Sequence, residues 1–144
     1  MKILICISIA LFLSLAAPAL AEEISCKENA FGVTNCYDKS GKKVGSSKKD
    51  AFGDTIYYDN NGRRTGKAKQ GLSGDTNYYD KNGRRVAKSR EDSQGNTSFY
   101  DKNGRRVGKS KTDVFGNTTY YDQNGRRTAQ CKKDAFGREK CVSK

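Results

Sequence analysis

The chain has 144 residues, with 28 Lys or Arg against 16 Asp or Glu, 5 Cys, and neither His nor Trp. Without His, the side chains required by serine hydrolases, cysteine hydrolases of the Cys–His type and His-ligated metal centres are missing, so no enzyme activity, catalytic residue, metal or cofactor is expected. A mean hydropathy of −0.89 with so large a charge excess is also how disordered chains look, and only the strict repetition described next argues for a folded domain.

Residues 1–21 form a separate segment: Lys2, an apolar run from Ile3 to Ala17, then "PALA" ending at Ala21 ahead of Glu22 and Glu23. This pattern predicts a secretory signal peptide cleaved after Ala21. The run is too short for a spanning helix, and no membrane span is expected once the signal is removed. The remaining residues, 22–144, are expected to form a single repeat domain. They carry 27 Lys or Arg (the 28 of the whole chain less Lys2) against 16 acidic residues, a formal charge of +11. Such an excess favours anionic partners, nucleic acid among them without specificity.

The repeat is announced by Tyr37, Tyr58, Tyr79, Tyr100 and Tyr121, each 21 residues after the last. Every unit holds two turn signals. One is Asn-Gly in "DNNGRR", "DKNGRR" and "DQNGRR", weakened to Ser40-Gly41 in the first copy, which predicts a two-residue type I′ hairpin loop. The other is "NAFG", "DAFG", "DSQG" or "DVFG", which suits a type I turn closed by a left-handed glycine in a three-residue loop; the second unit departs from it with Gly71. The stretches between, such as "TTYYD", are rich in Thr, Tyr and Val and too short for helices. The expected fold is therefore all-β: an up-and-down antiparallel hairpin array of about a dozen short strands, as an open twisted sheet or a closed barrel.

With those turns, Tyr57 should face Gly66, Tyr58 should face Thr65, Tyr78 should face Ala68 and Tyr79 should face Lys67. One face then collects Tyr57, Tyr78, Phe99 and Tyr120 against Gly and Ala or Ser, a buriable layer. The other collects Tyr58, Tyr79, Tyr100 and Tyr121 with Lys67, Lys88 and Lys109, and is expected to be wet. Cys6 leaves with the signal. Of the rest, Cys26 and Cys131 replace the small-residue column and Cys36 and Cys141 the aromatic one. Facing columns are close enough for disulfides. The favoured pairing is Cys26–Cys36 with Cys131–Cys141, one staple per terminal hairpin. Its rival, Cys26–Cys131 with Cys36–Cys141, requires the array to close on itself.

The run "DVFGNTTYYDQNGRR" resembles the tyrosine-aspartate (YD) repeats of Rhs and teneurin-type proteins, in its period, its Tyr-Asp pair, the Gly-Arg after it and the Asp-x-x-Gly-Asn before it. The resemblance extends over residues 26–141. It implies antiparallel hairpins winding into a shell, and a link to carbohydrate binding in some members. Five units are too few to enclose a protein cargo, and the repeat holds no catalytic residue to carry over.

Tyrosines beside cations can stack on sugars or bases while Lys and Arg meet phosphate, sulfate or carboxylate. The leading expectation is an exported bacterial protein, periplasmic or secreted, that binds an anionic polymer or glycan through Tyr58, Tyr79, Tyr100 and Tyr121 with Lys67, Lys88 and Lys109. The alternative is an assembly component whose open sheet edges pair with copies of itself or with a larger partner. Against both stands the plain reading of exposed Tyr and Lys as ordinary strand formers.

Overall fold

The computed structural model describes residues 23–143; the expected signal peptide, residues 1–21, lies outside them. Twelve strands follow one another with no helix between: β1 (Glu23–Glu28), β2 (Val33–Asp38), β3 (Lys43–Lys49), β4 (Thr55–Asp59), β5 (Arg64–Gln70), β6 (Asp75–Asp80), β7 (Arg85–Glu91), β8 (Thr97–Asp101), β9 (Arg106–Thr112), β10 (Thr118–Asp122), β11 (Arg127–Lys133) and β12 (Glu139–Ser143). Each pairs antiparallel with the next, and β1 pairs with β12, so the sheet is a closed barrel. The seam joins Ile24 to Cys141 and Cys26 to Glu139, with Lys140 Nζ reaching Glu23 Oε1 at 2.9 Å. Closure leaves no unpaired edge along the described strands, so the edge-pairing route to self-assembly has no template here.

The loops correct one expectation. No non-glycine residue has positive φ among the described residues, whereas a type I′ turn needs two successive positive φ values. At the Asn-Gly sites the loop is one residue longer. The N–H of Gly62 donates to the Asp59 carbonyl, the N–H of Asp59 donates to the Arg63 carbonyl, and only Gly62 is left-handed, with φ of 77°. This is the type I turn with a left-handed glycine that the sequence predicts for the other loop series, where it is also found. The aspartate decides it: Asp59 Oδ1 accepts the N–H groups of both Asn61 and Arg63, at 2.9 and 2.8 Å, and the same clasp recurs at Asp80, Asp101 and Asp122.

An extra loop residue should have exchanged the two faces of each following strand. A bulge prevents it. Tyr58 lies opposite Arg64, not Thr65, and Tyr57 lies opposite Gly66, so Thr65 is the surplus residue and the expected faces are restored beyond it. The same shift recurs past Tyr37, Tyr79, Tyr100 and Tyr121.

The expected dry face is the barrel interior. Tyr57, Tyr78 and Tyr120 are buried together with Ala68, Ala87, Ala129, Ser47, Ser89 and Ser110. Phe99 stacks on Tyr120 with centroids 6.1 Å apart, and the Tyr78 hydroxyl meets Ser89 Oγ at 3.2 Å. Burial raises the phenol pKa of Tyr78 to about 12 and those of Tyr57 and Tyr120 further. Disulfides join Cys26 to Cys36 and Cys131 to Cys141. The array does close, yet the pairing is local, because each cysteine faces its own hairpin partner in register while the seam sets Ile24 and Glu139 opposite Cys141 and Cys26.

Candidate functional site: the outer wall and the basic rim

In an up-and-down barrel alternate loops share an end. The loops after β2, β4, β6, β8 and β10 therefore form one rim, and those after β1, β3, β5, β7, β9 and β11 form the other. The first is basic. Each of its loops ends in two adjacent cations: Lys42–Lys43, Arg63–Arg64, Arg84–Arg85, Arg105–Arg106 and Arg126–Arg127. All are exposed except the half-buried Lys43, and none of the ten is in an ion pair among the described residues. The sequence displays this column as "GRR"; its importance emerges only when closure gathers the pairs into a ring.

The predicted Tyr/Lys residues lie on the outer wall below that rim. Tyr58, Tyr79, Tyr100 and Tyr121 are half-buried, and each is flanked on the following strand by Arg64, Arg85, Arg106 or Arg127. On the preceding strand Lys67 faces Tyr79, Lys88 faces Tyr100 and Lys109 faces Tyr121, while Tyr58 faces Ser46. The ammonium groups of Lys48, Lys67 and Lys109 lie 5.6–5.8 Å from the ring centroids of Tyr58, Tyr79 and Tyr121, within cation–π range.

The three lysines are not equivalent, which the repeat alone would not show. Lys88 Nζ lies 2.8 Å from Asp75 Oδ2 and Lys67 Nζ 3.5 Å from Asp54 Oδ2, whereas Lys109 has no carboxylate partner among the described residues. Arg90 also binds Asp75, and these two cations hold its carboxyl well below the usual carboxylate range. Asp54 and Asp75 occupy a column filled by Val33, Asn96, Asn117 and Arg138 in the other units, so their departure from the repeat is the signal that could have revealed the pairs.

The opposite end of the barrel opens into a cavity of about 370 Å³ whose lining includes Glu28, Thr34, Lys49, Thr55, Gln70 and Thr76, with Tyr57 and Tyr78 one layer deeper. Near it, Glu139 points inward beside the Cys131–Cys141 disulfide. Its carboxylate and both sulfurs lie within 4.8 Å of one another, but the sulfurs are bonded to each other and are not thiolate ligands. Burial pushes the Glu139 pKa up to about 7, with Lys133 acting in the opposite direction.

No protein-family model matches the sequence, and no curated protein is significantly similar to it. Among solved structures, an X-ray structure of a protein from Arabidopsis thaliana is similar at a TM-score of 0.64 and 12% identity, over 85% of this chain and 80% of that one. This likeness concerns the fold alone. BamB from Moraxella catarrhalis aligns over 83% of this chain and 69% of its own, at 9% identity and a TM-score of 0.38.

Proposed function

We propose that the protein is an exported, non-enzymatic binder of anionic polymers, such as an envelope glycan, lipopolysaccharide or another polyanion, held along the outer wall and the basic rim. The observation that carries this reading is the ring of ten exposed or half-exposed cations, none ion-paired among the described residues, beside a row of tyrosines each flanked by Arg. Such triplets recur every two strands, about 9–10 Å apart, which suits a repeating polymer better than a small molecule. The signal-like residues 1–21 and the two disulfides support an oxidising compartment, periplasmic or extracellular. The resemblance of the repeat to YD repeats, and the link of some of those to carbohydrate, favours a glycan among the candidates.

The test is retention of the mature, oxidised protein on heparin, lipopolysaccharide and purified envelope glycan across a salt series. Wild type should elute earlier as salt rises, because each neutralised anion releases a counterion. A variant with Arg64, Arg85, Arg106 and Arg127 changed to Gln should elute at distinctly lower salt, and one with Lys67, Lys88 and Lys109 changed to Gln should show a smaller loss, dominated by Lys109. Coincident elution of wild type and both variants would remove the reading.

A further inference from the structure

The rim opposite the arginines carries the large apolar side chains that a soluble barrel would be expected to bury. Phe31, Phe52, Phe115 and Phe136 occupy the same place in their loops and are 78–91% exposed, Val114 precedes Phe115 at 95% exposed, and Leu72 takes the place beside theirs in the Gly71 loop, fully exposed. Five of six loops thus end in a large apolar tip, with Ser93-Gln94 the polar exception. Contiguous apolar exposure of this kind marks an interaction surface. The turn geometry does not require it, since Ser93-Gln94 forms the same turn.

A second column indicates what covers the tips. Two residues before each of these six loops, on the outward side of the strand, stand Lys27, Lys48, Lys69, Arg90, Lys111 and Lys132. All six are exposed, and of them only Arg90 is committed to a carboxylate among the described residues. At about 3.4 Å per residue this collar lies about 7 Å behind the loops, close to the depth separating the acyl boundary of a bilayer from its phosphates. The loops between collar and tips also hold Asp50, Asp92, Asp113 and Asp134, and Glu28 and Glu91 stand beside Lys27 and Arg90; Oδ1 of each loop aspartate accepts two backbone N–H groups without losing its charge, so these carboxylates offset part of the collar. The wall itself bears Lys, Arg, Thr and capped Tyr and lacks the apolar band of a membrane-spanning barrel.

We propose that the phenylalanine end of the barrel docks on an anionic lipid surface, the loop tips entering the headgroup–acyl boundary while the collar of cations meets the lipid phosphates. The barrel then stands on the leaflet with its arginine rim directed away from it. This proposal is carried by residues at the opposite end from the polymer-binding face, and either can fail without the other.

The experiment is co-sedimentation of the mature, oxidised protein with phosphatidylcholine vesicles, with and without phosphatidylglycerol. It is repeated for Phe31→Gln/Phe52→Gln/Phe115→Gln/Phe136→Gln, which copies the loop already present at Gln94, and for Lys48→Gln/Lys69→Gln/Lys111→Gln/Lys132→Gln. Wild type should bind the anionic vesicles. The Phe variant should bind more than about a hundredfold more weakly, and the Lys variant should lose the preference for anionic lipid. Because the chain has no Trp, Phe52→Trp and, on the arginine rim, Asn61→Trp supply single fluorophores, and only the first should shift to the blue on vesicles. Undiminished binding by the Phe variant, a blue shift at Asn61→Trp alone, or no binding by wild type would overturn the proposal. So would light scattering that shows a dimer for wild type and a monomer for the Phe variant, which would assign the crown to a second copy of the chain.

Discussion

At the scale of single residues, Glu139 is the group whose environment departs furthest from what its side chain prefers. It replaces an uncharged position on the inner face and sits 7% exposed beside a disulfide, with a pKa of about 7 against an ordinary 4.5. A raised carboxyl pKa means that folding takes up a proton. Below about pH 4.5 both states are protonated and nothing is lost; between there and pH 7 the unfolded chain ionises first and stability falls; above it the full penalty remains. Wild type should therefore lose on the order of 3 kcal/mol across this range, and Glu139→Gln should flatten the profile, as followed by urea unfolding at a series of pH values. Asp75 works in the opposite sense and in another window. Its depressed pKa gives stability that is present above the normal aspartate range and lost as pH falls through the folded value.

At the scale of the hairpin, the loop departs from what its Asn-Gly pair predicts, and the reason is local. Asn-Gly is the strongest two-residue hairpin signal when considered alone, but here it is preceded two residues earlier by Asp. That carboxylate clasps the N–H groups of the second and fourth residues after it, as Asp80 does for Asn82 and Arg84 at 2.8 and 2.9 Å. The clasp selects a type I turn, in which the asparagine is right-handed and only the glycine is left-handed, Gly83 at φ 80°. The two geometries predict different mutants. Asn82→Ala should change stability by less than about 0.5 kcal/mol, since only its backbone N–H is used. Gly83→Ala should cost about 1 kcal/mol, because alanine resists positive φ. Thermal melts of the two variants check this, and a larger loss at Asn82 would favour the type I′ turn. The two faces are nevertheless those that the sequence predicts, because the bulge at Val44, Thr65, Val86, Val107 or Thr128 supplies the compensating residue. A β-branched residue between Arg or Lys and Gly or Ala carries no conspicuous bulge signature, so that compensation was hard to see in the sequence.

For the molecule as a whole, closure is the property on which the rest depends. It converts two loop series into two rims of opposite character and hides every strand edge, with disulfides flanking the seam on β1–β2 and β11–β12. Removing β12, by ending the chain at Gly137 with Cys131→Ser to avoid a lone thiol, should expose β1 and β11 together and give larger, concentration-dependent oligomers in light scattering than the intact chain gives. A truncated chain that stays monomeric and folded would show that the seam is not what keeps the edges from pairing.

The period, the strand positions and the two faces follow from the sequence by itself, because each rests on contacts within one hairpin or between adjacent ones, and those are copied from unit to unit; the local disulfides are favoured by it, and the register at the seam decides them. Tertiary structure decided what depends on residues far apart in the chain. Whether twelve strands remain open or close depends on how their twist accumulates until β1 meets β12, and no single unit contains that information. The inequality of Lys67, Lys88 and Lys109, the arginine ring and the phenylalanine crown likewise exist only once closure has set neighbouring units around a common axis.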